Sequence, residues 1–295
     1  MNKLLISFWL LFPAMTMAQT TAEKPKILYG ICSKDNLSAD PFGKWFISGY
    51  NDYTPNTVIA DQLKRQNTDK ISSEIFFGTW CGDSKREVPR FLKLLHNISF
   101  PEKKVTLIGL GNGDSLYKQS PQHEEAGKGI FRVPTFIIYR NGVEINRINE
   151  FPILSLERDL LNIINNGQYS PNYHSFALVK QWLTEDILLD DNISTAGLAQ
   201  QLRLLVKNEH ELNSLGYLLL NHDKKKEALR VFQINYFLYP ESANVISSLG
   251  EGYYENNDLK KAISFFEKAL EINKKPDDIK GILEILYKTK EKEKL

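Results

Sequence analysis

A fixed spacing between four residue pairs constrains the C-terminal part of this chain more than any other feature of its sequence. Each pair recurs after 34 residues: Leu215 and Leu249, Gly216 and Gly250, Ala228 and Ala262, Phe232 and Phe266. A period of this length is typical of helix pairs that stack on one another, because a single pair cannot bury its apolar face alone. We therefore expect two helical repeats, at about 209–242 and 243–276.

The segments around these repeats also have helical periodicity. We expect residues 176–189 and 198–206 to pack before the repeats and residues 279–288 to cap them. Residues 167–173 are rich in Gly, Ser, Pro and Asn, which predicts a linker. The predicted all-helical domain therefore covers 174–295.

A cysteine in the N-terminal half stands where a strand gives way to a helix. Residues 80–84 read Trp-Cys-Gly-Asp-Ser and follow the apolar run 75–78. Backbone N–H groups at a helix N-terminus favour the thiolate form of such a cysteine. Lys85 and Arg86 add positive charge to the first turn, and Asp83 opposes them. Cys81 is therefore the candidate nucleophile.

The rest of this half alternates strand and helix patterns. We expect residues 33–55 to be an insertion that packs on the domain, and the sequence Asn141-Gly142 to form a two-residue hairpin turn. Predicted strands are 27–31, 74–78, 105–110, 135–140 and 143–148. Predicted helices are 58–65, 84–95, a short one in 115–127, and 153–164. This order predicts an α/β domain with a mixed sheet and helices on both of its faces.

Residues 27–166 resemble the thioredoxin superfamily. Residues 80–84 stand at the family's Trp-Cys-x-x-Cys motif, Pro89 at the proline that kinks its active-site helix, and 133–135 at its cis-proline motif. The resemblance implies a thioredoxin-like fold with Pro134 as the cis residue. It also implies catalytic roles for Cys81 and Ser84. The implied substrate-binding residues are Trp80, Gly82, Asp83, Val133, Pro134 and Thr135.

Ser84 is the departure from this pattern, because it replaces the family's second cysteine. Members with Cys-x-x-Ser trap substrates, isomerise disulfides or use an external thiol, and some have lost redox activity. The C-terminal repeats resemble tetratricopeptide repeats, which implies a surface for a client or redox partner. We expect thiol–disulfide exchange on protein thiols or disulfides, without a cofactor or metal. The alternative is a non-catalytic module whose groove and repeats only bind partners.

Two side chains near this motif allow more than one interpretation. The Ser84 hydroxyl either donates a hydrogen bond to the thiolate or caps the helix backbone. Cys32 is either a distant resolving thiol or a half-buried small apolar residue, and we favour the second interpretation for Cys32.

Residues 1–18 have the pattern of a signal peptide. Lys3 precedes the apolar or small run 4–12, and Ala18 ends a plausible cleavage site. The run is shorter than a membrane span, so we expect an exported protein with no stable span, periplasmic in a Gram-negative source. The chain also resembles exported proteins of the Bacteroidetes type. Its 37 basic and 36 acidic residues give no case for nucleic-acid binding.

Overall fold

The computed structural model describes residues 26–113 and 117–294, except for the side chain of residue 277. The predicted signal peptide at 1–18 lies outside the described residues. Five strands form one sheet in the order β1-β3-β2-β4-β5. The strands are β1 (Gly30–Cys32), β2 (Ile71–Phe77), β3 (Val105–Gly109), β4 (Thr135–Arg140) and β5 (Val143–Asn149). Each overlaps a strand predicted from the sequence.

The sheet is mixed, as expected. β2 and β3 are parallel, whereas β1 runs antiparallel to β3, and β4 lies antiparallel between β2 and β5. The predicted hairpin turn joins β4 to β5, with positive φ angles of 53° at Asn141 and 79° at Gly142. Both central residues of this turn type need such angles, which explains the preference for the pair Asn-Gly.

The helices of this half all contribute to one apolar cluster. They are α1 (Lys34–Ser38), α2 (Gly43–Asp52), α3 (Thr57–Lys64), α4 (Gly82–Asn97) and α5 (Leu156–Ile164). Their buried residues pack with Ile75, Leu107 and Phe136, which lie opposite one another on β2, β3 and β4 and so point to one face of the sheet. The predicted insertion at 33–55 thus consists largely of two helices, α1 and α2.

The expectation of helices on both faces is wrong for the described residues. The second face carries Phe76, Ile108 and Ile137, which pack with Ile130 and Val133 from the connection between β3 and β4. The described part of the predicted helix at 115–127 consists of turns instead. Lys118 and His123 have φ angles of 57° there, in the left-handed region, so a continuous helix cannot form.

The C-terminal half is all helical in the part that the structure describes. Its helices are α6 (His174–Thr184), α7 (Thr195–Leu202), α8 (Glu209–Asn221), α9 (Lys225–Leu238), α10 (Ala243–Glu255), α11 (Leu259–Ile272) and α12 (Pro276–Glu293). The pairs α8–α9 and α10–α11 are the predicted repeats. A Cβ on Gly250 would lie 2.7 Å from the Phe266 ring, and one on Gly216 would lie closer still to Phe232. The repeated glycines thus make room for the repeated phenylalanines.

The two halves have largely separate cores but touch one another. Residues 167–173 contain no helix or strand. Next to them, the Phe131 ring lies 4.7 Å from that of Phe176 and joins the helical core. The guanidinium of Arg132 donates to the His210 carbonyl at 3.1 Å. Among the described helices, none is long and apolar enough to cross a membrane. The proposed domain boundary remains a prediction.

Candidate functional site

Cys81 is the N-cap residue of α4, four residues after the end of β2. Its backbone N–H donates to the Gly78 carbonyl at 2.9 Å, and its carbonyl accepts from the Lys85 N–H at 3.0 Å. The sulfur is half-buried, and as a thiol it donates to the Val133 carbonyl at 3.2 Å. The peptide bond between Val133 and Pro134 is cis. The fold therefore brings the two motifs of the resemblance into direct contact.

Ser84 has a role that neither interpretation of its hydroxyl anticipated. Its side chain is fully buried, and Oγ accepts a hydrogen bond from the Gly78 N–H at 3.2 Å. Within the described residues it forms no hydrogen bond to Cys81 Sγ, and no side chain caps the N-terminus of α4. Ser84 thus ties the start of the helix to the end of the strand and holds the turn that carries the sulfur.

Trp80 lies across the same turn. Its ring N–H donates to the Leu110 carbonyl at 3.0 Å, and its ring centroid is 5.9 Å from that of Tyr117. A Cβ on Gly78 would lie 2.5 Å from the indole, so only glycine fits beneath it. The indole therefore links β2 to the connection that covers the second sheet face.

The helix side of the sulfur is open at Gly82 and charged at Asp83. Gly82 is exposed, and a Cβ there would meet no atom within 4 Å. Asp83 forms an ion pair with Arg86 at 2.7 Å. The hydrogen bond from Arg86 to the buried Glu87 raises the pKa of the guanidinium. The positive charge of Arg86 compensates the negative charge of Asp83. This ion pair weakens the repulsion between the Asp83 carboxylate and a thiolate.

Residues 133–135 form a segment that contacts the sulfur through the Val133 carbonyl. Val133, Pro134 and Thr135 are all buried. The Thr135 hydroxyl donates to the Arg132 carbonyl at 2.7 Å, and the Pro134 carbonyl accepts from the Glu150 N–H at 2.6 Å. These hydrogen bonds hold the segment in place. The substrate-binding role of its residues stays a prediction.

Lys118 is a buried lysine beside this site that sequence reasoning missed. Its side chain is only 3% exposed, and Nζ donates to the Phe131 carbonyl at 2.6 Å. Burial lowers the pKa of Lys118 to about 7; the charge of Arg132 adds to this effect, while Glu150 and Cys81 oppose it. Nothing in the sequence distinguishes this lysine, because a polar connection normally places its lysines in solvent.

Arg132 and Glu150 complete the charged group around the sulfur. Their side chains lie 3.7 Å apart, and both are largely buried. Burial raises the pKa of Glu150. The Arg132 guanidinium also lies 4.9 Å from the centroid of the Tyr173 ring, at the start of the helical half. Arg132, the residue before Val133, is thus held by contacts to both halves of the chain.

Cys32 is not brought to Cys81. It lies on β1 opposite Leu107 and packs on the sheet face that the helices cover, whereas Cys81 packs on the other face. Both thiols are free. Burial raises the pKa of Cys32 to about 11, so this thiol is a weak nucleophile at neutral pH. The geometry supports the apolar interpretation of Cys32.

Among the described side chains of residues 26–113 and 117–294, no group of three or more His, Cys, Asp or Glu could hold a metal ion.

A family model described as "Tetratricopeptide repeat" matches residues 243–276, which contain α10 and α11. Comparisons with curated proteins and with solved structures gave no match. The chain thus contains a tetratricopeptide repeat, a structure that supports a role in protein interaction.

Proposed function

We propose that this protein exchanges thiols and disulfides of partner proteins through one nucleophilic cysteine, Cys81, in a thioredoxin-like domain. The observation that carries the proposal is the position of its sulfur. It stands at the N-terminus of α4, next to the Val133 carbonyl, with open space on the Gly82 side. The helix N-terminus and the nearby Arg132 supply positive charge for a thiolate. The predicted signal peptide would place this activity outside the cytoplasm, where protein disulfides form.

The proposed exchange proceeds in two steps. The Cys81 thiolate attacks one sulfur of a partner disulfide, a mixed disulfide forms, and the other partner sulfur leaves as a thiolate. A second thiol then attacks the mixed disulfide and releases Cys81. If that thiol belongs to the partner, the result is isomerisation without net electron transfer. If two small thiols act in succession, they become a disulfide and the partner is reduced.

A second candidate function is binding without exchange. The match at residues 243–276 favours it directly, because tetratricopeptide repeats bind protein segments. The buried Ser84 hydroxyl, where a second thiol would stand, also suits a site that no longer completes a redox cycle.

The rate of Cys81 alkylation as a function of pH separates the two candidates. The measurement uses the full chain with Cys32→Ala, so that only one thiol reacts. A reactive site gives a titration midpoint well below the value of ~8.5 for a free cysteine. A midpoint at or above that value, together with no release of a coloured thiolate from a small activated disulfide, contradicts exchange and leaves the binding function.

A further inference from the structure

A groove runs along the first helices of the repeats. One hollow of about 590 Å³ lies between α8, α10 and the start of α12. A second, of about 790 Å³, lies between α8, α10 and the connection that follows β3. His210, Asn244 and Glu251 line both hollows, so the two adjoin at these residues. Two adjoining hollows along successive helices suit an extended polypeptide segment better than a compact ligand.

The groove ends at the cysteine site. Tyr117 lines the second hollow, and its ring contacts that of Trp80, the residue before Cys81. His210 lines the groove with its side chain, and its carbonyl accepts from Arg132, the residue before Val133. This end of the groove is therefore one aromatic ring away from the residue that precedes Cys81.

The walls of this groove are polar and acidic. Its carboxylates are Glu209, Glu251, Glu255 and Asp278, whereas Lys275 is the one lysine or arginine among the described lining residues. Glu255 is paired with Lys225 at 3.1 Å, and Glu209 accepts from the Asn244 amide at 3.0 Å. The amide and hydroxyl groups between them suit the backbone of an extended segment. The excess of carboxylates gives the groove a negative potential that favours cationic side chains.

Glu251 is the strongest feature of this surface. It lies at the junction of the two hollows, and Tyr217 donates to it at 2.9 Å. Burial raises the pKa of Glu251. Within the part of the chain that the structure describes, no lysine or arginine forms an ion pair with it. A desolvated carboxylate without a counterion is stabilised strongly by an incoming ammonium or guanidinium group, because such hydrogen bonds are charge-assisted.

We propose that this groove binds an extended basic segment of a client polypeptide, with a lysine or arginine at Glu251, and so delivers a neighbouring client cysteine to Cys81. The delivery step rests on the proposed exchange function, whereas the binding step does not. The groove thereby adds a preference for positively charged clients to the exchange at Cys81.

Binding is tested by fluorescence anisotropy on the full chain, with a labelled unstructured peptide rich in lysine and arginine and with serine in place of cysteine. We expect it to bind at least about tenfold more tightly than the same peptide with glutamate in place of the basic residues, and to weaken as salt is added. Glu251→Gln should weaken binding of the basic peptide by about tenfold. The matched control is Glu271→Gln, on the exposed surface of α11, which should leave affinity unchanged. Equal affinity for the two peptides, or equal loss in both variants, overturns the proposal.

Delivery is tested with the cysteine form of the peptide as a mixed disulfide with thionitrobenzoate. Attack of Cys81 on the peptide sulfur releases the coloured thiolate. We expect Glu251→Gln to slow this release but not the release from the same activated disulfide of mercaptoethanol, a small neutral thiol. If both substrates slow equally, the groove does not deliver the client and the inference fails. If neither substrate reacts even in the unaltered protein, the proposed exchange function fails, while the anisotropy experiment still decides whether the groove binds basic segments.

Discussion

Lys118 offers a quantitative test of the environment around the sulfur. Its pKa is lowered from 10.5 to about 7, mainly by burial and further by the charge of Arg132. Since a tenfold change in a protonation equilibrium is worth about 1.4 kcal/mol, this difference corresponds to about 5 kcal/mol of free energy. At low pH both the folded and the unfolded chain carry the charged lysine, and the folded chain bears the full cost of burying it.

The sign of the pH dependence follows from where the protons are bound. Between pH 7 and pH 10.5 the unfolded chain binds more protons at this lysine than the folded chain, so stability rises with pH in that window. Lys118→Met removes the buried charge. We expect the variant to be more stable than the unaltered protein at pH 6, and its advantage to shrink by about 1.4 kcal/mol for each pH unit above 7. Urea unfolding at several pH values, followed by tryptophan fluorescence, measures this difference.

The comparison between variants cancels the groups that titrate without feeling the charge of Lys118. Lys128→Met is the matched control, because Lys128 lies in the same connection but pairs with Glu74 at 2.6 Å near the surface. Its effect on stability should be the same at each pH. A constant difference between Lys118→Met and the unaltered protein across pH 6 to 10 would refute the reasoning, because it would mean that Lys118 stays charged and solvated.

Four further outcomes are expected. Ser84→Ala should lower the free energy of unfolding by about 1–3 kcal/mol, because a buried backbone N–H loses its acceptor, whereas Ser84→Cys should raise turnover in an insulin reduction assay; unchanged turnover counts against exchange at this site. Gly216→Ala should cost about 1–3 kcal/mol in thermal unfolding through overpacking, whereas Gly281→Ala, with no atom near its Cβ, should be neutral or stabilising; equal effects contradict the packing argument. Mass spectrometry of the exported protein should find Gln19 or a near neighbour at its N-terminus, and an intact leader would rule out cleavage.

The features that sequence analysis predicted well are those whose geometry requires particular residue types. The Asn141-Gly142 turn needs two positive φ angles, and few residue pairs accept them. The repeated residues contact one another: Gly216 faces Phe232 and Gly250 faces Phe266. Their spacing in the sequence therefore reflects a packing contact that recurs in each helix pair. In each case the residues that carry the signal are the residues that make the structure.

The features that it missed depend on partners far away in the chain. Alternation along β2 shows that Phe76 and Phe77 point to opposite faces, but not that helices cover only one of them. The burial of Lys118 depends on the Phe131 carbonyl and on how the connection after β3 folds over the sheet. The Ser84 hydroxyl was expected to act on the sulfur or the helix, yet its acceptor role toward Gly78 follows from a turn geometry that residue types alone do not specify.

On the proposed function, the serine at position 84 and the presence of the repeats are connected. With two cysteines, the mixed disulfide is resolved within the site; with Cys81 alone, it lasts until another thiol arrives. During that time the partner must be held in an orientation that leaves its own thiols free to attack. The open side at Gly82 leaves an approach to the sulfur, and the groove that ends at Tyr117 offers the means of holding the partner. A site with one thiol therefore gains more from an attached binding domain than a site with two.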